Sequence, residues 1–163
     1  MRKRHDIFKA ASGGPDVPQP LTAAALRTVR FQEVDLMGVV WHGRYVDYFE
    51  DGRSAVGRAY GLDYRDFFRE GVKAPVVRFE IEYGRSLLPG DTFRVETSLH
   101  WSEAVRLNHC YLIKREPDGL IMARGSTVQL LIDRKDQLLL VWPEYFQQLR
   151  KKWQCGELTN VNG

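Results

Sequence analysis

Two hydrophobic periods divide the chain. Between Tyr45 and Tyr60 the apolar and small residues Tyr45, Tyr48, Phe49, Gly52, Ala55, Val56, Ala59 and Tyr60 recur every three or four positions, while Arg44, Asp47, Asp51, Arg53 and Arg58 fall off that stripe. This spacing predicts one long helix with a single buried face, stopped at Gly61. Gly52 and Gly57 each cost such a helix about 1 kcal/mol relative to alanine, so the pattern implies that a neighbouring element presses on the backbone there. After a short helical turn from Tyr64 to Glu70 the period drops to two. Phe79, Ile81 and Tyr83 alternate with charged residues, and beyond Leu88-Pro-Gly-Asp91 so do Phe93, Val95, Leu99 and Trp101. Two more strands are expected from Val105 to Arg115 and from Leu120 to Asp133, joined at Pro117-Asp-Gly119, and a closing helix begins at Pro143.

Upstream, Ala25 to Phe31 alternates well enough for a first strand, followed by a loop from Gln32 to Val40. Residues 1–22 read as a tail poor in packing groups, 23–155 as the domain and 156–163 as a second tail. The expected class is α+β, with a five-stranded antiparallel sheet, four of its strands in meander order, and one long helix. A single helix cannot cover both faces of such a sheet, so the sheet should curl around it and leave apolar surface for a second copy. A homodimer or homotetramer follows.

Composition narrows the function. The 163 residues suit one domain that buries about two-thirds of its unfolded surface and carries only two cysteines, Cys110 and Cys155. That is neither a secreted disulfide scaffold nor a zinc site, and with no signal peptide and no apolar run near the roughly 20 residues of a membrane span, the expectation is a soluble cytoplasmic protein. The formal charge of +3 sits partly in the opening Met-Arg-Lys-Arg-His. It describes no basic face, which argues against nucleic acid as a partner, and it suits a small phosphate-bearing anion.

The candidate chemistry lies in Phe31-Gln-Glu-Val-Asp35-Leu-Met-Gly38-Val-Val-Trp41-His42-Gly43-Arg44-Tyr45. A loop carboxylate, Asp35, precedes the start of the long helix, where unpaired N–H groups of the first turn can polarise a carbonyl oxygen. Taken alone, a loop Asp before a helix is more often a turn former or cap, and His42 in the same place can simply cap. Glu50 and Asp51 read first as salt-bridged acids, His100 and His109 as satisfied strand histidines, and Cys110 as a core thiol.

In these residues the sequence resembles the hotdog-fold acyl-CoA thioesterases of the 4-hydroxybenzoyl-CoA thioesterase type, including the Tol-Pal-associated branch. The shared pattern is Glu33-x-Asp35-x-x-Gly38-x-Val40, then Trp41, His42, Tyr45, Tyr48-Phe49, Glu50 and Arg53, with the turn Leu88-Pro-Gly-Asp91 further on. The resemblance implies a hotdog fold and hydrolysis of an acyl- or aroyl-CoA, with no metal and no redox cofactor. It makes Asp35 the nucleophile or general base, and it gives the carbonyl-polarising N–H to the helix start at His42 and Gly43. It also places Trp41, Gly38 and Val40 against the acyl group, and Arg106 against the nucleotide end of coenzyme A. Leu36-Met37 departs from the smaller pair usual in that family, so the acyl pocket is this chain's own. Two rivals remain at this stage: a hydratase or dehydratase on the same fold, and a non-catalytic acyl-CoA-binding module.

Overall fold

The computed structural model describes residues 17–158. Strand β1 (Leu21–Thr28) leads through a 3₁₀ turn (Phe31–Glu33) into the long helix α1 (Arg44–Tyr60) and a short helix α2 (Tyr64–Glu70). Strands β2 (Val76–Tyr83), β3 (Thr92–His100), β4 (Arg106–Arg115) and β5 (Ile121–Leu130) follow, and α3 (Glu144–Gln154) closes the chain. The strands form one sheet in the order β1-β3-β4-β5-β2, and every neighbouring pair is antiparallel.

The helix stripe lies where the periodicity puts it. Tyr45, Tyr48, Phe49, Gly52, Val56, Gly57 and Tyr60 are the buried positions of α1, and the alternation in β3 buries Phe93, Val95, Thr97 and Leu99. The close approach expected at the helix glycines is present. A Cβ on Gly52 would collide with Oγ1 of Thr97 and lie 2.8 Å from Cγ1 of Val95, and one on Gly57 would lie 2.8 Å from the carbonyl oxygen of Leu62. Gly61 ends the helix in the left-handed conformation, φ 72°, with its N–H donated to the Gly57 carbonyl. The sheet thus curls around one central helix, as a hotdog fold requires.

Two apolar clusters fill the space between sheet and helix. The first, around Tyr48, Phe49, Phe93, Tyr111 and Ile113, underlies the start of α1, with the Phe49 and Tyr111 rings stacked 4.6 Å apart. The second gathers Val56, Tyr60, Phe67, Leu99, Trp101, Phe146 and Trp153 at the other end, where α3 docks.

Three expectations need correction. The strands after α2 do not form a four-stranded meander: only β3, β4 and β5 do, while β2 sits on the far edge beside β5. The reason is that both edges of β3 are taken, by β1 and by β4. The segment from Gly84 to Asp91 is therefore a crossover rather than a hairpin turn. The domain also begins before residue 23. Leu21 is buried and pairs with Leu99, Val17 packs on the second cluster, and the Gln19 carbonyl accepts the Trp153 indole N–H at 2.7 Å. In Leu-Thr-Ala-Ala-Ala the buried side of the strand is mostly alanine, a weak hydrophobic signal. Leu158 likewise packs on that cluster, so the second tail begins later than 156. Residues 1–16 and 159–163 of the two expected tails lie outside the described residues. Finally, β2 is not wet on one face alone: Val76, Val77, Phe79 and Tyr83 are all exposed.

Candidate functional site

The loop between β1 and α1 is built as a miniature hairpin. Val34 and Val40 form an antiparallel bridge, and the Trp41 N–H donates to the Glu33 carbonyl at 2.9 Å. Asp35 heads the turn between them. Its carbonyl accepts the Gly38 N–H at 3.0 Å, and its own N–H donates to the Val39 carbonyl at 2.9 Å. Gly38 makes that closure with φ 74°, a conformation glycine adopts without a Cβ penalty. The Asp35 carboxylate accepts the Met37 N–H through Oδ1 at 2.8 Å. No described residue bonds to Oδ2. Asp35 is thus both a turn former and, among the described residues, a carboxylate with one oxygen unengaged.

Glu33 anchors the hairpin. It is 7 % exposed, and its carboxylate accepts the Arg30 N–H at 2.7 Å and the Arg27 guanidinium at 3.3 Å. Arg27 also pairs with Asp51 on α1 and lies over the Tyr48 ring, 5.4 Å from its centroid. The loop is therefore tied to both β1 and α1 by charge-assisted bonds in a partly buried place, where such bonds are worth more than on the open surface. A third tie comes from the crossover: the Val40 N–H donates to the Leu87 carbonyl at 2.9 Å.

The helix start follows directly. The Trp41 carbonyl accepts the Arg44 N–H at 2.9 Å, and the His42 carbonyl accepts the Tyr83 hydroxyl at 2.9 Å. The N–H groups of His42 and Gly43 take no backbone carbonyl among the described residues. Gly43 is the N-cap of α1 and His42 the residue before it, so both donors lie at the entry to the helix, beside the orphan N–H groups of its first turn. The Trp41 ring lies against Gly43, where any Cβ would collide with it. Around the loop, Phe31, Leu36, Met37, Trp41, Val46 and Leu88 are exposed, an apolar rim of the kind that marks a binding or assembly surface.

Asp35, Gly38, Val40, Trp41, His42 and Gly43 are brought together in one hairpin and helix start. Arg106 is not. It opens β4, pairs with Leu130 and donates to Oγ of Ser102 at 3.4 Å, beyond the His100 end of β3. The Asp35 loop leaves from the other end, where Thr28 pairs with Thr92. The nine residues of β3 separate the two ends by about 27 Å. Because β4 runs antiparallel to β3, its first residue lies far from the loop within the chain. Basic groups at the loop's own end include Arg27, bonded to Glu33, Arg44, which pairs with Asp47 at 3.2 Å, Arg115, which opposes Phe93 of β3, and Arg85, whose backbone N–H donates to the Met122 carbonyl beside β5.

The other candidates take structural roles. Glu50 pairs with Arg53 and Asp51 with Arg27. His100 lies 3.0 Å from Oγ of Ser98 through Nε2. His109 is buried and stacks on Tyr111 with ring centroids 6.1 Å apart. Burial, aided by the charges of Arg53 and His100, holds its pKa down to about 3. It stays neutral, and its Nδ1 is buried without a hydrogen-bond partner among the described residues, so it is not the satisfied strand histidine expected from sequence. Among the described residues no group of three or more His, Cys, Asp or Glu side chains could hold a metal ion. A hollow of about 630 Å³ lies on the sheet face lined by Thr22, Ala24, Glu96, Ser98, Cys110 and Leu112. None of its lining residues belongs to the Asp35 loop.

Sequence reasoning missed two contributors, Tyr83 and the Leu87 carbonyl. Tyr83 was visible as an alternating strand position at the end of the family-like strand Val77 to Tyr83, with no role attached to its side chain. Both contacts cross more than forty residues of chain.

With this geometry in view, the comparisons with known proteins agree. The pattern of the thioesterase-like superfamily matches residues 29–149. The 1,4-dihydroxy-2-naphthoyl-CoA hydrolase of Rippkaea orientalis is 35 % identical over 133 residues, covering 80 % of this chain and 96 % of that protein. The protein of the same name from Synechococcus elongatus is 33 % identical over 123 residues, 74 % of this chain and 89 % of its own length. Among solved structures, the DHNA-CoA thioesterase from Staphylococcus aureus superposes with a TM-score of 0.74 at 24 % identity, over 86 % of this chain and 97 % of that one. That likeness speaks to the fold. The chain belongs to the thioesterase-like superfamily, the hotdog-fold class of thioester hydrolases.

Proposed function

We propose that the protein hydrolyses an acyl-CoA, with an aroyl group as the preferred acyl part, to the free acid and coenzyme A. Asp35 attacks the thioester carbonyl or activates the attacking water, and the N–H groups of His42 and Gly43 polarise the carbonyl oxygen. The observation that carries this reading is the Val34–Val40 bridge, which closes the Asp35 turn directly before the N–H groups of His42 and Gly43 at the entry to α1. An aroyl group is favoured by the names of the two curated relatives and by the aromatic side chains of Trp41 and Tyr83 at this end of the domain. No metal or redox cofactor enters the proposed chemistry.

The same proposal includes assembly as a homodimer or homotetramer. Its support is the exposed apolar surface of β2, an edge strand hydrogen-bonded on one side only, together with the apolar rim of the Asp35 loop. No helix among the described residues is long and apolar enough to cross a membrane. The two free cysteines, Cys110 and Cys155, fit the reducing cytoplasm we propose as its compartment.

The test is thiol release from a panel of short, long and aromatic acyl-CoAs, with light scattering on the same preparation. The expected result is turnover highest on an aroyl-CoA by a species at least twice the 18.9 kDa chain mass. Absence of release from every member of the panel would overturn the reading.

A further inference from the structure

We infer that Tyr83 is a positioning residue for the carbonyl-polarising N–H of Gly43, an assignment that rests on the thioesterase reading above. The argument begins with the peptide unit. The His42 carbonyl and the Gly43 N–H belong to one planar amide and point in opposite directions from it. Fixing the oxygen therefore fixes the line along which the N–H is aimed. The Tyr83 hydroxyl donates to that oxygen at 2.9 Å.

An amide whose oxygen accepts a hydrogen bond is more polarised, and its N–H is a stronger donor, by about 10–30 % per bond in condensed phases. The neighbouring peptide is held in a parallel way, since the Trp41 carbonyl accepts the Arg44 N–H at 2.9 Å. Two successive carbonyls are thus engaged by bonds of different kind, one from the helix itself and one from β2. Their partner N–H groups at His42 and Gly43 take no backbone carbonyl among the described residues.

Tyr83 is placed to do this with little freedom. It is the last residue of β2, pairs with Ala123, and the next N–H, of Gly84, donates to the Met122 carbonyl at 2.9 Å. Its ring meets Tyr45 edge-on with centroids 5.1 Å apart and His42 edge-on at 6.5 Å. Although the side chain is exposed on one side, desolvation of the phenol raises its pKa above the usual value, so it remains a donor. Tyr60 and Tyr145 also donate to backbone carbonyls, of Thr22 and Gly61; what sets Tyr83 apart is that the peptide it holds carries the Gly43 N–H.

The experiment compares Tyr83→Phe and Tyr83→Leu with the wild-type chain on the aroyl-CoA it turns over best. Tyr145→Phe serves as a matched control, because it also removes one tyrosine-to-carbonyl bond, that to Gly61 at 2.8 Å. The expected result is that Tyr83→Phe lowers kcat roughly tenfold with KM within about twofold, a fraction of the loss seen when an oxyanion donor is removed outright. Tyr145→Phe should leave kcat unchanged. The ¹⁵N–¹H resonance of Gly43 is read in parallel and should move in Tyr83→Phe but not in Tyr145→Phe. An unchanged kcat in Tyr83→Phe, or a loss confined to Tyr83→Leu, overturns the inference and leaves the thioesterase reading intact. A wild-type chain that releases no thiol fails the thioesterase reading, and an unmoved Gly43 resonance fails the hydrogen bond itself.

Discussion

Asp35 bends one carboxylate oxygen back onto its own turn: Oδ1 accepts the Met37 N–H at 2.8 Å. The turn and the proposed chemistry therefore make separable demands on the same side chain. The turn needs an acceptor, which asparagine also supplies, whereas attack or proton removal needs the charge.

Asp35→Asn is accordingly expected to melt within about 1 kcal/mol of wild type while losing on the order of a hundredfold or more in kcat. Thermal melts and thiol release on the same sample measure both quantities. Retained turnover would remove Asp35 from the mechanism, and a collapsed melt would show that its role is confined to the loop.

The contact between Gly52 and Thr97 sets how closely α1 lies on the sheet. Gly52→Ala should destabilise the fold by about 2 kcal/mol, the cost of forcing extra atoms into a packed core, because the new Cβ collides with Oγ1 of Thr97. That hydroxyl is buried with no partner among the described residues, so Thr97→Ala removes the nearer obstacle, leaving Cγ1 of Val95, and sheds an unsatisfied group. Urea unfolding of the double variant should recover part of the loss, a non-additivity expected only of touching residues. Simple addition of the two single effects would mean that α1 does not rest on β3 in this way.

His109 links stability to pH. Its folded pKa is held near 3, below the ordinary histidine value of about 6.5, so in between the unfolded chain binds a proton that the folded chain refuses. The contribution of neutral His109 is fully present above about pH 6.5 and is lost as pH falls toward about 3. Arg53 on α1 and His100 on β3 act on it in the same direction. His109→Phe, which preserves a ring against Tyr111, should flatten the decline in urea midpoint between pH 6.5 and 4. An unchanged slope would place the acid sensitivity elsewhere.

Much of this protein is local enough to be legible in sequence. The stripe from Tyr45 to Tyr60 specifies α1, and the alternation from Thr92 to His100 specifies β3, because each reports which side of a single element must leave water. The site loop is legible for the same reason: Asp35, Gly38 and the helix start are joined by turns and caps that span only a few residues. Strand order is another matter. Whether β2 joins β3 or crosses to β5 depends on which strand edges remain unpaired once β1 and β4 have flanked β3, and no residue of β2 encodes that locally. The same crossover carries Leu87 to Val40 and Tyr83 to His42, and the antiparallel sense of β4 carries Arg106 away from the site. Period and turn chemistry along the chain determined the elements and the turn at Asp35, while the role proposed for that turn came from its likeness to a family pattern. Tertiary structure alone decided what holds that loop in place, because those bonds join groups distant in sequence that only the folded sheet brings within reach.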